Sequence, residues 1–440
     1  MRLIVAIVLS GLGCAVRPPK DLGALPIDQA SLTETEVLAH LGAALSEEAR
    51  GEIGQLDVLL RSDAAVFGAA PDPSGLFEAR RAAHAALPPL AEGAAELRVL
   101  TFNTALLDRT YLGNLVQMPE IELRRPVMGE RLMRLGYDIL LLQEVWEWSD
   151  VEALKAAGEA AGYIVYGGSP DKHPEHGLAI AVRADLIAPD KPQDRREQQF
   201  SAQRKLEYFP GPDVRRGWLT WSFTLAGTEQ QIHLYDVHAT SFVSFWLQRE
   251  LQAREVGAEI STRPEGDVVV LGGDLNSGPY YRDDVWIDGE NVAVGGWWRN
   301  AVAYALWLHY GEMYDALNAV ELPQDVALGE TIPQPRDHRV FLIEPYGRAR
   351  WCGEVSGVVF TATDCNDLYF QSYAGTEFPA RLDHLMIRDP SGAVRVMEAG
   401  LVLDQPAFFG GREVELSDHY GIDARIQIGS EAPPVEEEEN

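Results

Sequence analysis

The chain is 440 residues long, and 46% of its residues are hydrophobic, which is ordinary for a globular protein. Its charge is unusual, because 67 acidic residues outnumber 37 basic ones and leave a formal net charge of −30. Such a surface repels polyanions, so the composition disfavours nucleic acid as a partner, although acidity also keeps proteins soluble and by itself names no function.

The first segment has the pattern of an export signal. Arg2 precedes a short apolar run over residues 3–9, and small residues surround Cys14. The run is too short to span a bilayer. The context of Cys14 is similar to a bacterial lipoprotein site, although Gly11 stands where leucine is usual. We therefore expect residues 1–14 to direct export, either to the bacterial cell envelope as a lipoprotein or into the medium.

Residues 15–92 are predicted to form a tether and a helical extension. Residues 15–30 contain prolines, and residues 31–90 are rich in Ala, Leu and Glu, which favours a few helices. This region carries no recognisable chemistry. At the other end of the chain, residues 429–440 are acidic and are predicted to be a disordered tail.

Between residues 97 and 428, short β-rich runs alternate with helical patterns, which indicates an α/β domain. The predicted strands are 97–102, 138–142, 163–166, 177–182, 218–225, 231–237, 267–271, 381–387 and 420–428, and the predicted helices are 127–135, 150–161 and 245–260. A hairpin turn at Ala226-Gly227 joins two of the strands, which indicates a mixed sheet. Residues 280–315 and 319–378 are expected to be loop-rich excursions.

Polar side chains recur where these predicted strands end. Two glycines follow the run 267–271, so the chain is expected to turn sharply and to leave Asp274 and Asn276 beyond the strand. Glu144 follows a buried run, where a carboxylate either binds a cation or begins the next helix. Similar positions hold Asn103, His238, Asp383, Asp418 and His419. Because strands of one sheet system can bring their ends to one rim, we expect these side chains to meet.

The order of these phrases along residues 97–428 resembles a known family. Phe-Asn, Leu-Gln-Glu, Val-His-Ala, Gly-Asp-Leu-Asn, Leu-Asp-His and Ser-Asp-His follow one another as in the endonuclease/exonuclease/phosphatase superfamily of metal-dependent phosphoesterases. Finer features at 216–220 and 361–369, and the helix after His238, resemble its neutral sphingomyelinase branch. The resemblance implies an α/β fold in which a two-sheet β-sandwich is flanked by helices in four layers, preceded here by the N-terminal helical extension.

The resemblance also implies a role for each polar residue. Glu144 and Asn103 would hold a divalent cation, Mg²⁺ with Mn²⁺ as the alternative. His419 would be the general base for the attacking water. The remaining roles are orientation of His419 by Asp383, contact with the water and the phosphate by Asp274 and Asn276, donation to the phosphoryl oxygens or leaving group by His238, and support of the metal or its waters by Asp418.

These inferences predict an enzyme that hydrolyses a sphingomyelin-type phospholipid at a membrane surface to ceramide and phosphocholine. A metal-dependent endonuclease or another phosphoesterase of the same fold is the enzymatic alternative, and a non-catalytic surface-binding module is the alternative outside enzymes. Aromatic residues near 242–246, 280–281 and 297–298 either pack in the core or meet lipid.

Two further pairs of residues leave alternatives open. His173 and His176 either contact the substrate or lie in a plain exposed loop. Cys352 and Cys365 either form a disulfide, as export would allow, or remain unpaired.

Overall fold

The computed structural model describes residues 74–111, 114–168, 176–201, 215–241, 246–279, 286–287, 290–291, 297–320, 361–362, 366, 368, 380–409 and 411–429. Its helices are α1 Ser74–Ala85, α2 Ile121–Arg134, α3 Trp148–Ala160, α4 Trp246–Ile260, α5 Trp297–Tyr310 and α6 Ala316–Ala319. Its strands are β1 Ala95–Asn103, β2 Asp108–Tyr111, β3 Asn114–Gln117, β4 Ile139–Gln143, β5 Tyr163–Tyr166, β6 Ala179–Arg183, β7 Asp194–Gln199, β8 Gly217–Thr224, β9 Gln231–His238, β10 Val268–Asp274, β11 Trp286–Ile287, β12 Glu290–Asn291, β13 Tyr314–Asp315, β14 Asp383–Arg388, β15 Val394–Val402, β16 Ala407–Phe409, β17 Arg412–Val414 and β18 Gly421–Ile428.

Twelve of these strands form two six-stranded sheets. The first sheet has the order β15-β18-β1-β4-β6-β5, and the second has the order β13-β14-β10-β9-β8-β7. In each sheet one central pair is parallel, β1 with β4 and β9 with β10, and the other pairs are antiparallel. The mixed sheet expected from the hairpin at Ala226-Gly227 is therefore confirmed.

The two sheets pack face to face between two layers of helices. Val99 and Leu141 of the first sheet share one buried cluster with Leu234 and Val270 of the second. A second cluster joins the outer face of the first sheet to α2 and α3, and a third joins the outer face of the second sheet to α4 and α5. Each sheet is thus buried on both faces, and the predicted four-layer sandwich is confirmed.

Two local expectations about these elements are wrong. The two glycines after residue 271 do not turn the chain, because β10 continues through them to Asp274. A Cβ atom on Gly272 would lie 2.5 Å from Leu141 Cδ1, so glycine is needed there for the two sheets to approach. The expected excursion over residues 280–315 contains a 14-residue helix, α5, whose Leu306 and Trp307 are buried against the second sheet.

The structure describes residues 74–92 of the predicted N-terminal extension, and residues 74–85 form the helix α1. In α1, Phe77 is buried, and His84 Nε2 accepts a hydrogen bond of 3.1 Å from the backbone N–H of Val396 on the edge strand β15. This helix therefore packs onto the sandwich.

Several predictions fall outside the described residues: the export segment 1–14 with Cys14, the tail beyond residue 429, His173, Cys352 and Cys365. They stay predictions. Among the residues that are described, no helix combines the length and the apolar character needed to cross a membrane.

Candidate active site

Three site residues lie in one row across the second sheet. Residues alternate between the two faces of a strand, so on β9 His238 points to the same side as the core residues Ile232 and Leu234. In the ladder, Asp274 at the end of β10 is opposite His238 on one side and Asp383 at the start of β14 on the other. The hydrogen-bond register of the sheet therefore sets the spacing of these three side chains.

The facing row on the first sheet is Asn103 and Gln143, which end β1 and β4 and are partners in the ladder. Asn103 Nδ2 donates to Asp274 Oδ2 over 3.1 Å, and Gln143 Nε2 donates to Asp236 Oδ1 over 2.6 Å. Both hydrogen bonds cross from one sheet to the other. The predicted rim is therefore the polar end of the interior of the sandwich.

Glu144 and Asn276 reach this rim through turns that few residue types adopt. Glu144 has φ +60°, its backbone carbonyl accepts from Leu106 N, and its Oε1 lies 3.8 Å from His238 Nε2. Asn276 has φ +49°, its backbone N–H donates to Asp274 Oδ1 over 2.9 Å, and its Nδ2 donates to Ala239 O. Asparagine tolerates this left-handed conformation better than most residues, whereas for Glu144 it is strained.

His419 lies against Asp383, the residue expected to orient it. Nδ1 of the imidazole is 2.7 Å from Asp383 Oδ2, so Nδ1–H donates to the carboxylate and Nε2 is left for the site. Ser417 fixes the segment, because its hydroxyl donates to Asn103 O over 2.6 Å and accepts from the backbone N–H of His419. Glu144 and His419 thus belong to one connected site, through His238, Asp274 and Asp383.

The carboxylates make the interior of the site attractive to positive charge. Burial lowers the pKa of His419, but the nearby carboxylates of Asp383, Asp418 and Asp274 outweigh it and raise that pKa well above its ordinary value. Burial would raise the pKa of Asp274, but hydrogen bonding to His238 and the charge of His419 lower it. Burial raises the pKa of both Asp383 and Asp418.

The donor set fits a hard divalent cation. The carboxylates of Asp274 and Asp383 and a ring nitrogen of His419 lie within 4.8 Å of one another, so the two carboxylates can face a cation with the expected base beside them. Asp383 Oδ1 is buried and accepts no hydrogen bond within the described residues. Of the predicted metal ligands on the facing side, Glu144 offers a carboxylate whose Oε1 lies 3.8 Å from His238 Nε2. Asn103 meets the group through Nδ2, which donates to Asp274, while its Oδ1 accepts from Ala105 N–H. A mainly oxygen donor set is the one that Mg²⁺ prefers.

Residues 100–419 match the family model described as the Endonuclease/Exonuclease/phosphatase family. The chain belongs to this family. Its members are metal-dependent phosphoesterases that use divalent metals. The resemblance drawn from the six motifs is therefore confirmed at the level of the family.

Solved structures with a similar chain path include other proteins of this family. The structure of D. rerio TDP2 complexed with single-strand DNA product is 18% identical, with 76% of this chain and 99% of that chain covered and a TM-score of 0.46. A beta toxin from Staphylococcus aureus is 13% identical, with 74% and 99% covered and a TM-score of 0.47. A family protein from Bacteroides thetaiotaomicron is 14% identical, with 76% and 98% covered and a TM-score of 0.46. No curated protein matches the chain's sequence.

The structure adds Arg216 to the site of this family member. Its guanidinium contacts the imidazole of His238 and lies 5.5 Å from the ring centre of Trp146. Burial and the charge of Arg216 lower the pKa of His238, against the opposing effect of Asp274. The predicted hairpin could have placed Arg216 near His238, because Gly217, the residue after Arg216, pairs with His238 in the ladder.

His176 does not fit either expectation for it. Its ring is fully buried, and Nε2 lies 2.9 Å from Glu197 Oε1 on β7. The residue is therefore neither on an exposed loop nor available to a substrate.

Proposed function

We propose that this protein is a Mg²⁺-dependent phosphodiesterase that hydrolyses a sphingomyelin-type phospholipid to ceramide and phosphocholine. We further propose that it acts outside the cytoplasm, at the bacterial envelope or in the medium, as its export pattern indicates. Membership of the metal-dependent phosphoesterase family supports the reaction type. The choice of a lipid substrate is supported by a hairpin beside the site and by the charge of the protein.

The hairpin of β16 and β17 is the observation that carries the lipid proposal. Ala407 and Val414 at its base are buried against the outer cluster of the first sheet, whereas Phe408 is 70% exposed. Phe408 is the most exposed large hydrophobic side chain among the described residues. An exposed phenyl ring gains free energy on entering the interface of a bilayer. Because the hairpin leads directly into residues 416–419, it would bring a membrane surface next to Asp418 and His419.

The charge of the protein favours a zwitterionic substrate over a polyanion. A net charge of −30 opposes the approach of DNA, whose binding normally depends on contacts between basic side chains and phosphates. A phosphocholine head group carries a cation as well as a phosphate. The negative charge of the protein therefore attracts the cationic end of that head group, while the phosphate end would need the bound metal.

The site residues divide the work of hydrolysis. A divalent cation bound by Glu144, Asn103 and Asp274 would polarise the phosphoryl oxygens. Asp383 accepts the Nδ1–H of His419 and so turns Nε2 toward the attacking water. As the water oxygen bonds to phosphorus, its proton passes to Nε2. The bond from phosphorus to the ceramide oxygen breaks, and that proton returns to the leaving oxygen through solvent.

The other residues position the water, the phosphate and the leaving oxygen. Asn276 uses one amide N–H on Ala239 O, which leaves its second N–H and its Oδ1 for the phosphate and the water. Burial and the charge of Arg216 lower the pKa of His238, which favours the neutral ring, and that ring would donate one hydrogen bond to an oxygen as negative charge builds there. Asp418 lies beside His419 and supports the metal or its waters.

A two-substrate assay tests this proposal. The purified protein is incubated with Mg²⁺ and either sphingomyelin vesicles or supercoiled plasmid, with EDTA-treated protein as the control. We expect phosphocholine release that EDTA abolishes, and intact plasmid. Nicking without phosphocholine release would contradict the proposal and indicate an endonuclease. No activity on either substrate, with or without metal, would indicate a binding module.

Phe408→Ser separates the lipid step from the chemistry. We expect the rate on vesicles, relative to that on a soluble phosphodiester, to fall about 10–100-fold, because one buried phenyl ring contributes about 1.5–3 kcal/mol. The matched control is Met397→Ser on β15, because Met397 is also a large hydrophobic residue and is 42% exposed. An unchanged ratio for Phe408→Ser would remove the main support for a membrane substrate.

A further inference from the structure

Arg124 joins the two loops of the first sheet that carry site residues. We propose that it is a positioning residue, and that by holding these loops together it sets the affinity of the site for its divalent cation. The inference rests on the proposed metal-dependent function. It concerns a residue in the first turn of α2 that is fully buried.

The contacts of the guanidinium all go to backbone carbonyls. Nη1 donates to Thr104 O and to Leu416 O, each over 3.0 Å, and Nη2 donates to Ala105 O over 2.7 Å. Nε donates to Pro119 O over 3.3 Å. Thr104 and Ala105 directly follow Asn103, and Leu416 is two residues before Asp418. One side chain therefore links the loop of a predicted metal ligand to the loop of the predicted base.

These loops need such a partner because their backbone leaves the regular sheet. Ala105 has φ +49°, and its N–H is taken by Asn103 Oδ1 over 3.0 Å. Thr104 N–H donates to Gln143 O, the last residue of β4 before Glu144. The carbonyls of Thr104, Ala105 and Leu416 point into the protein, where each needs a donor. A planar guanidinium supplies several donors in a fixed fork, which a lysine ammonium cannot reproduce.

The charge of Arg124 acts on the same site. Its four acceptors are neutral, so a positive charge is held in the interior behind the carboxylates. Burial lowers the pKa of Arg124 to about 10, against the opposing effect of Asp418 and Glu144, and the side chain stays protonated at neutral pH. The positive charge of Arg124 and the carboxylates of Asp418 and Glu144 attract one another, which helps to hold both carboxylates in place.

The test compares Arg124→Lys with Arg134→Lys. The first variant keeps the charge but loses the fork. The second is the matched control, because Arg134 lies on the same helix with a side chain that is 76% exposed and forms an ion pair with Glu130 of that helix. Binding of Mg²⁺ and Mn²⁺ is measured by isothermal titration calorimetry, and folding by circular dichroism. We expect the Kd of Arg124→Lys to rise about 10–100-fold, as for the loss of other groups that orient metal ligands, and Arg134→Lys to bind as the wild type does.

The outcomes separate this inference from the proposed function. A folded Arg124→Lys that binds metal as tightly as the wild type, in a protein that releases phosphocholine, overturns the inference alone. A wild-type protein that binds neither Mg²⁺ nor Mn²⁺ overturns both.

A second measurement applies if Arg124→Lys does not fold. Hydrogen–deuterium exchange of the wild type is followed while Mg²⁺ is added. Because one side chain joins the two loops, exchange in 104–106 and in 416–419 should slow with the same midpoint. Protection of one loop only, or two different midpoints, overturns the inference.

Discussion

The second sheet and the first sheet hold their shares of the site in different ways. On the second sheet, His238, Asp274 and Asp383 are neighbours in one ladder, so backbone hydrogen bonds between strands fix their spacing. On the first sheet, Asn103 and Gln143 end the paired strands β1 and β4, but the other site residues lie outside strands. Glu144 lies in a left-handed turn, and Asp418 and His419 lie between β17 and β18.

This difference shows which half of the site depends on side chains for its shape. A ladder keeps its register as long as the sheet is folded. The loops of the first sheet are held instead by Ser417 and by Arg124. We therefore expect substitutions behind the first sheet to change the geometry of the site, and those in the second sheet to act through the chemistry or through the fold.

Removing the base that the two halves share has the largest expected effect. His419→Ala should lower the turnover of phosphodiester by about 10²–10⁴-fold, the usual contribution of a positioned general base. The fold should remain, because the ladder does not depend on this ring. The measurement is kcat together with the melting temperature. Turnover within about tenfold of the wild type would show that another group activates the water.

Asp383→Asn tests the half of the site that lies on the second sheet. It replaces the carboxylate that hydrogen bonds to His419 Nδ1, and the expected loss of kcat is about 10–100-fold. Because the charge of Asp383 raises the pKa of His419, the variant should have a lower His419 pKa. A base with a lower pKa is deprotonated at lower pH, so the acidic limb of the rate profile should move to lower pH. An unmoved limb would mean that Asp383 does not act through His419.

Gly272→Ala tests the contact between the two halves. The added Cβ would meet Leu141 Cδ1 at 2.5 Å and Thr101 Cβ at 2.9 Å, both on the facing sheet. The free energy of unfolding should fall by about 1–3 kcal/mol through overpacking. The sheets should also move apart and weaken the bond from Asn103 to Asp274, so metal affinity should fall. Chemical denaturation and calorimetry measure the two effects. A loss of stability with unchanged metal affinity would separate the sheet contact from the site.

Ser417→Ala tests the loop half and has the smallest expected effect. It removes the donor to Asn103 O and the acceptor of His419 N–H, which should cost about 1–3 kcal/mol of stability. kcat should fall more than KM rises, because the base is displaced while the ladder residues stay. A matched control is Ser391→Ala, whose hydroxyl bonds to Asp389 on an exposed turn. Equal effects of the two variants would contradict the claim that Ser417 holds the loops of the first sheet in place.

The half of the site on the second sheet was the more predictable from sequence. Apolar runs such as 231–237 and 267–271 identify buried strands, and the polar residue that ends each run can be read directly. The alternation of side chains then places His238 and Asp274 on the inner face. The glycines before Asp274 were misinterpreted as a turn because glycine favours turns, whereas here it allows a close approach between sheets.

The rest depended on contacts that leave little trace in the sequence. The edge strand β7 is a polar run from Asp194 to Gln199, without the apolar alternation that indicates a strand. Arg124 binds backbone carbonyls, one of them 292 residues away, and carbonyls are the same in every residue type. Phe408 is one apolar residue among many, and only its exposure on a hairpin distinguishes it.

A crystal structure with bound Mn²⁺ tests the central claim most directly. We predict an ion between Glu144 and Asn103, within reach of Asp274, with oxygen ligands and with His419 Nε2 left uncoordinated and facing it. An ion bonded to the imidazole of His419 would contradict the account, because a coordinated nitrogen cannot take a proton from the water.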